Sequence, residues 1–309
     1  MKKVVITEFM DEAAVASLRA SFNVLYDPKL VDDAASLMAA VSDADAVIVR
    51  NRTQIRGELL AACAKATVIG RLGVGLDNID VAACEARGMK VIPAAGANAL
   101  AVAEYVIGTA MVLLRGVYLS SDAVAGGKWP RAALSNGREI SGTCLGLVGF
   151  GGIGRLTAEL AHSLGMTVVA HDPMMPAGSP VWTETGVQCA SLEELIGKAD
   201  VISLHVPFTP GTANMLSAER IAQMKRGAIV INTSRGGIVD EAAVAAALRD
   251  GRLGGSAFDV FEPEPLDPGS VWEGCPNAIL TPHVAGVTAE SNVRVSTMIA
   301  AAVARTLKA

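Results

Sequence analysis

An α/β chain built on two doubly wound parallel sheets is the architecture this sequence predicts. Three observations lead there. Short β-branched runs alternate with amphipathic segments along nearly the whole chain. One long apolar helix interrupts that alternation near the middle. At 309 residues the chain is also long enough for two domains. Repeated strand–helix alternation implies parallel strands with helices on both faces, because each parallel connection must cross over the sheet.

In the first half, VVIT (4–7), NVLY (23–26), AVIVR (46–50), TVIGR (67–71) and KVI (90–92) read as strands. Between them, 11–20, 33–40 and 57–64 carry Ala, Leu and charge at helical spacing. Residues 99–119, ALAVAEYVIGTAMVLLRGVYL, then read as one helix that is apolar over much of its circumference. Such a helix packs between two layers or between two subunits. Alternation resumes with LGLVGF (145–150), TVVAH (167–171), DVISLHV (200–206), AIVINT (228–233), SAFDV (256–260) and NAILT (277–281) as strands. Helices are expected near 152–164, 191–198, 217–224 and 240–250, with a last one over about 287–306. The spacing gives two α/β units joined around residues 95–100.

Composition narrows the function. A hydrophobic fraction of 51% against 18% charged residues is that of an ordinary globular chain with ample core. Net charge is −5 and no dense basic run occurs, which argues against a nucleic-acid surface, so any bound phosphate is held locally. The opening MKKVVITEFMDE has too short an apolar stretch for a signal peptide, and no apolar run reaches the roughly 18 residues of a membrane span. The five cysteines are scattered, odd in number and without metal-ligand spacing. A reduced, cytoplasmic protein with no metal and no membrane partner is expected.

GFGGIG (149–154) supplies Gly149, Gly151 and Gly154 in a GxGxxG pattern. Alone the pattern is weak, since 31 residues are glycine, but here it follows an apolar run and opens a helix with Leu156, Leu160 and Leu164 on one face. In that setting the first glycine permits the turn, the second lets backbone approach a pyrophosphate, and the third lets the helix pack on the strand. The free amides of the helix start then hold the anion. Asp172 ends the next strand, placed to accept hydrogen bonds from an adenosine ribose diol. The alternative is a turn residue before Pro173. Around it, HDPMMPAGSP contains no Arg or Lys for a 2′-phosphate, which favours NAD over NADP.

Three polar residues follow later strands, where open parallel sheets place ligand sites. They are Arg235 in NTSRGG, Glu264 in DVFEPEP and His283 in LTPHVAG. Singly, each has a plain structural alternative: a surface ion pair, a solvated loop acid, a hydrogen-bonded strand cap.

Together the motifs say more. RLGVGLDNID (71–80), NALAVAEYVIG (98–108), GKWPR (127–131), GFGGIG, SLHVPFTP (203–210), NTSRGGIVDE (232–241), AFDVFEPEPL (257–266) and TPHVAG (281–286) resemble, in order and over essentially the whole chain, the D-2-hydroxyacid dehydrogenase family. The resemblance implies two Rossmann-like domains with the active site in the cleft between them. Residues 1–97 plus 286–309 would form a flavodoxin-like substrate-binding domain, and 98–285 the NAD-binding domain. It implies that Arg235 binds the substrate carboxylate and carbonyl, that His283 is the acid/base, and that Glu264 pairs with its ring. Gly149, Gly151, Gly152, Ile153, Gly154, Asp172, His205, Val206, Pro207, Thr233 and Ser234 would line the NAD groove, with Asp259 at the nicotinamide amide. The backbone of Gly73 and Val74 would meet the substrate carboxylate. Imidazole suits the acid/base role, since with an unperturbed pKa of about 6.5 it serves both directions near neutrality. His162 is expected to be structural and His171 to sit on the groove rim.

The substrate-binding set is completed by Arg50, Asn51, Arg52 and Arg71. Surface arginines flanking buried strands for solubility are the alternative. However, VIVRNRTQI (47–55) and GRLGVG (70–75) resemble phosphoglycerate dehydrogenases, in which basic residues here face the anionic tail, and the set, with the opening ITEFMDE, also looks like sulfolactate dehydrogenases. Arginine's fork suits such a group. 3-Phosphoglycerate and 3-sulfolactate are therefore joint expectations, with glyoxylate or hydroxypyruvate reduction as an alternative. An NAD-sensing, corepressor-like binding protein is the alternative from another class. The chain ends soon after its last helix, so no appended regulatory domain is expected. A homodimer formed through the helix near 99–119 is expected as well.

Overall fold

The computed structural model describes all residues from Met1 to Ala309. The chain opens with β1 (Lys3–Ile6), α1 (Glu12–Arg19), β2 (Asn23–Tyr26), α2 (Ala34–Val41) and β3 (Ala46–Val49). It continues through α3 (Gly57–Ala62), β4 (Val68–Arg71), α4 (Val81–Ala86) and β5 (Lys90–Pro93). Then follow α5 (Ala99–Arg115), α6 (Ser121–Ala125), β6 (Cys144–Val148), α7 (Gly152–Ser163), β7 (Thr167–His171), α8 (Pro180–Thr185) and β8 (Gln188–Cys189). The last part holds α9 (Leu192–Lys198), β9 (Val201–Leu204), α10 (Ala218–Gln223), β10 (Ile229–Asn232) and α11 (Glu241–Arg249). It closes with β11 (Gly255–Phe258), β12 (Ala278–Leu280) and α12 (Ala289–Lys308).

Two sheets form, and every strand pair in both is parallel. The first has the order β2-β1-β3-β4-β5 and the second β12-β11-β10-β9-β6-β7-β8. Both are doubly wound, as the alternation predicts. By contacts the chain divides into two compact units, Met1–Asn98 with Val287–Ala309, and Ala99–Gly286.

In the first unit the strand periodicity of two sorts the apolar residues between two cores. Val4, Ile6, Ala46, Ile48 and Val68 face α1 and α12, while Val5, Val47, Val49 and Ile69 face Leu37 and Val41 of α2 and Leu60 of α3. The second unit repeats the scheme. Leu145, Leu147, Val168 and Ile231 pack against Val106, Ile107 and Leu113 of α5, and Val148, Ile202, Val230 and Phe258 line the opposite face. Strands buried on both faces explain why the sequence shows continuous apolar runs where a one-sided sheet would alternate.

The central helix is shorter than the apolar pattern suggests. α5 stops at Arg115 because Gly116 takes a positive φ of 68°, and Tyr118–Ser120 form a separate 3₁₀ turn. No single helix is long and apolar enough to cross a membrane, although α5 with the bent segment after it passes that test by length and composition.

Candidate active site

In the second unit the sheet reverses its order between β6 and β9, and every residue expected in the NAD groove lies at or just beyond the carboxyl end of a strand. That is where open parallel sheets leave a crevice, since the connections from the two adjacent strands leave toward opposite faces of the sheet. β6 leads into the glycine loop. Gly149 has φ 97°, and a Cβ on it would lie 2.6 Å from the His205 carbonyl oxygen, so only glycine lets the two central strand ends close together. A Cβ at Gly154 would lie 2.5 Å from the Gly149 carbonyl oxygen, which fixes how closely α7 approaches the loop. Nothing lies within 4 Å of a Cβ at Gly151 or Gly152, so open space stands over the exposed middle of the loop.

Gly151, at the start of α7, also offers no side-chain cap. Its first amides are thus left to solvent or to an anion. At the end of β7 the Asp172 carboxylate accepts from the amides of Phe150 (2.8 Å) and Met174 (2.9 Å), which ties the acid directly to the glycine loop. A carboxylate offers about four acceptor positions, so capacity remains for a diol. Thr233 adds a hydroxyl that is buried without a hydrogen-bond partner. An open glycine cradle, uncapped amides, a part-used carboxylate and an orphaned hydroxyl fit a dinucleotide.

His205 follows β9. Its amide bonds the Val148 carbonyl (2.7 Å) and its Nε2 lies 3.0 Å from Ser203 Oγ. Burial pushes the imidazole down to about 4, even though part of the residue still reaches solvent, so it is neutral at physiological pH. Val206 is half-buried and Pro207 exposed. His162 Nδ1 faces the Met166 carbonyl and His171 Nδ1 the Ala190 carbonyl, both local structural bonds.

The loop after β10 carries Arg235. Buried Asn232 shapes it by donating to the Arg235 carbonyl (2.9 Å) and accepting from the Ser234 amide (3.0 Å), while Ser234 Oγ donates to the Leu204 carbonyl. The Arg235 guanidinium is half-buried and donates to the Ser234 carbonyl (2.6 Å). A Cβ at Gly236 would lie 2.1 Å from the Phe261 carbonyl oxygen, so the NTSRGG loop presses against the backbone that leads to Glu264. Glu264 accepts from the Phe261 amide through Oε1 (2.9 Å) and faces His283 Nδ1 through Oε2 (2.8 Å). Both side chains keep solvent access, 35% for Glu264 and 51% for His283, so a substrate can reach the ring.

His283 sits at φ 55°, in the left-handed region that a side chain seldom occupies. Asp259 accounts for how the turn is held. It is buried and accepts from Thr281 Oγ1 (2.6 Å) and the Val284 amide (2.8 Å) on Oδ1, and from the Ala285 amide (2.8 Å) on Oδ2. Thr281 Oγ1 in turn lies 2.7 Å from the Tyr105 hydroxyl on α5. The sequence reading gave Asp259 a contact with the nicotinamide amide. It did not foresee this clasp on the histidine turn, nor the parts of Asn232, Thr281 and Tyr105. Thr281 was within sight, two residues before His283 in the same heptapeptide.

In the first unit, Arg50–Arg52 follow β3, and Arg71, Gly73 and Val74 fall at the end of β4. The three arginines have separate partners. Arg50 Nη2 donates to Asn292 Oδ1 (2.8 Å) with its guanidinium 5.7 Å from the Phe9 ring centroid, Arg52 pairs with Asp32, and Arg71 Nη1 donates to the Leu72 carbonyl (2.9 Å). Asn51 and Val74 are exposed, and the Gly73 amide donates to the Arg71 carbonyl (2.8 Å).

Residues 107–285 match the family model described as the D-isomer specific 2-hydroxyacid dehydrogenase, NAD binding domain. The chain belongs to that family. Over 96% of its length it is 52% identical to an (S)-sulfolactate dehydrogenase of Chromohalobacter salexigens, covering 95% of that relative. It is 39% identical over 88% of its length to a D-3-phosphoglycerate dehydrogenase of Mycobacterium bovis, but spans only 51% of that longer protein. A solved structure from Thermus thermophilus superposes with a TM-score of 0.86 at 34% identity, over 99% of this chain and 97% of the other. This D-2-hydroxyacid dehydrogenase is accordingly an oxidoreductase that uses NAD, as its motifs imply.

Proposed function

We propose that the enzyme interconverts a 2-hydroxy acid bearing a second anionic group and the matching 2-keto acid, with 3-sulfolactate as the first candidate substrate. The observation that carries the choice is the 52% identity to a sulfolactate dehydrogenase over nearly the full length of both chains. 3-Phosphoglycerate is the second reading, favoured by the 39% identity to a phosphoglycerate dehydrogenase. It stands second because that identity is the lower of the two.

In the oxidative direction, NAD held by the glycine loop, Asp172 and Thr233 would supply the acceptor for the hydride on C2 of the substrate. The protein's own residues do the rest. Glu264 accepts the hydrogen bond from His283 Nδ1–H, which leaves the Nε2 lone pair to take the hydroxyl proton. The carboxylate also offsets the positive charge that then develops on the ring. Arg235 holds the C1 carboxylate and the oxygen that becomes the carbonyl, with its guanidinium fork giving two donors in one plane. Asp259 fixes the histidine turn, and the glycine loop, Asp172 and Thr233 receive the dinucleotide. Arg50, Asn51, Arg52 and Arg71 take the distal anion, and Gly73 and Val74 the carboxylate end. In reduction the same steps run backwards from protonated His283.

We place the enzyme in the cytoplasm, a reading supported by five free cysteines in a fold that uses none of them as a crosslink. We also propose that it works as a homodimer. Met111, Tyr118, Leu119, Val124 and Trp129 are apolar and exposed along α5 and the segment after it, and Trp129 is 77% exposed. Such a patch marks an interface. A second copy of the chain would cover it.

The test is a screen of NADH formation with sulfolactate, 3-phosphoglycerate, malate, glycerate and lactate. Sulfolactate is expected to give the highest kcat/KM. A preference for lactate or glycerate would overturn the anionic-tail reading, and no turnover of any hydroxy acid would return the protein to the sensing class. Light scattering of the purified chain, with Trp129→Ser beside it, tests the dimer; a monomeric wild type would refute it.

A further inference from the structure

We infer that Glu8 is a positioning residue for the distal-anion end of the substrate, acting through the backbone of Arg50–Thr53. The inference rests on the reading of Arg50 and Arg52 as tail-binding residues. Glu8 lies just beyond β1 and is 4% exposed, an unusual location for a carboxylate. Three amides of one turn converge on it. Oε1 accepts from Arg50 (2.9 Å) and Thr53 (3.0 Å), and Oε2 accepts from Arg52 (3.1 Å). The carbonyls of the same turn are held from another side. Buried Asn78 donates Nδ2 to the carbonyls of Arg50 (3.2 Å) and Thr53 (2.7 Å), and Thr53 Oγ1 bonds Thr7 Oγ1 (2.8 Å).

The consequence is geometric. With the amides of Arg50, Arg52 and Thr53 and the carbonyls of Arg50 and Thr53 held inward and Thr53 buried, the side chains of Arg50, Asn51 and Arg52 are the ones left on the outer side, half-buried in the first case and exposed in the others. Burial pushes the Glu8 carboxyl up, but the amides of Thr53, Arg50 and Arg52 more than offset that and hold it below the ordinary carboxylate range. Glu8 is therefore a fixed negative charge at neutral pH. By charge alone it would weaken anion binding, so its contribution to the site is through the shape of the turn. An amide in its place keeps one acceptor but turns an NH₂ toward an N–H donor, and the turn loses a bond at one of its arginines.

The experiment compares Glu8→Gln and Glu8→Asp with wild type on sulfolactate, on 3-phosphoglycerate and, in the reducing direction, on glyoxylate, which has no tail. Arg50→Ala is measured alongside. Glu8→Gln is expected to lower kcat/KM for the tailed substrates by at least about tenfold, the weight of one charge-assisted hydrogen bond. The loss should fall mainly on KM, with glyoxylate changed less than about twofold. Glu8→Asp keeps the charge but shortens the reach, and is expected to show a smaller loss of the same selectivity. It carries the test if the Gln variant does not fold. Equal losses on tailed and untailed substrates, or none on the tailed ones, in the folded Glu8 variants would overturn the inference. If Arg50→Ala is itself unselective, the tail reading fails first. If Arg50→Ala is tail-selective and the Glu8 variants are not, the inference about Glu8 alone fails.

Discussion

Cofactor choice offers the most direct quantitative test, and Asp172 is the residue to perturb. Its carboxylate already accepts two backbone amides, from the glycine loop and from Met174, so it cannot swing away from a cofactor placed on that loop. A 2′-phosphate set about 4 Å from it would be repelled by roughly 1–4 kcal/mol per unit charge, for effective dielectric constants between about 80 and 20. Asp172 is half-buried, and screening at physiological salt acts over about 8 Å, so the lower part of that range applies. The free diol of NAD, by contrast, gains a charge-assisted hydrogen bond of about 1.5–3 kcal/mol. The two effects have the same sign, and wild type is expected to prefer NAD over NADP by at least about tenfold in kcat/KM, or roughly 1.4 kcal/mol. Asp172→Ser removes both. The ratio should then shrink, and it should do so mainly because NAD use falls by about ten- to a hundredfold. Initial rates with each cofactor at saturating hydroxy acid measure this. Equal efficiency with both cofactors in wild type, or an unchanged ratio in Asp172→Ser, would refute the assignment.

Three further outcomes are expected. Glu264→Gln removes the charge 2.8 Å from His283, so the acid limb of kcat/KM in oxidation and the alkaline limb in reduction should both move to lower pH. Limbs that hold their place would leave Glu264 as a loop acid. Asp259→Asn turns an amide NH₂ toward the donors that now bond Asp259, and should cost at least about tenfold in kcat; an unaltered kcat would show that the His283 turn holds itself. Asp200 is held below the ordinary carboxylate range, since burial pushes it up but the Cys144 amide, Arg138 and Lys225 outweigh that. With the folded value below the unfolded one, its stabilisation is present above about pH 4 and is lost as pH falls through the folded value. Asp200→Asn should thus destabilise by about 1–3 kcal/mol at pH 7, with the gap closing in acid. Urea denaturation at pH 7 and pH 3.5 checks it, and an equal gap at both would be the contrary result.

Much of this was legible in the sequence, because the residues that carry it are neighbours in the chain. The glycine loop, Asp172 and the histidine heptapeptide announce themselves by local pattern, and β-branched runs mark the buried strands. What escaped was of two kinds. Elements such as α4, α8 and the two-residue β8 show no clear apolar period, and the pattern carries α5 four residues past its end because Tyr118 and Leu119 continue it beyond a glycine that breaks the helix. The second kind is pairing at a distance. Glu8 meets a turn 42 to 45 residues later, and Tyr105 meets Thr281 across 176 residues. A single sequence gives no sign of which distant groups will meet, whereas a periodic stretch carries its own evidence.

The route of the chain bears on how the molecule is made. Val295, Ile299, Ala300, Val303 and Leu307 of α12 belong to the core formed by β1, β3 and β4, yet in the chain they come after the whole of the second unit. The contiguous stretch Ala99–Gly286 has all its own strands as soon as it leaves the ribosome. The first 98 residues lack part of their core; the face of their sheet that α1 and α12 share is only partly covered until α12 has been made. The amino-terminal unit, which by the usual vectorial order would fold first, therefore cannot complete its core before the second unit has been made. Translation that halts after β12 would release a finished carboxyl-side unit attached to a sheet with a sticky, partly open face, a form suited to chaperone capture or aggregation.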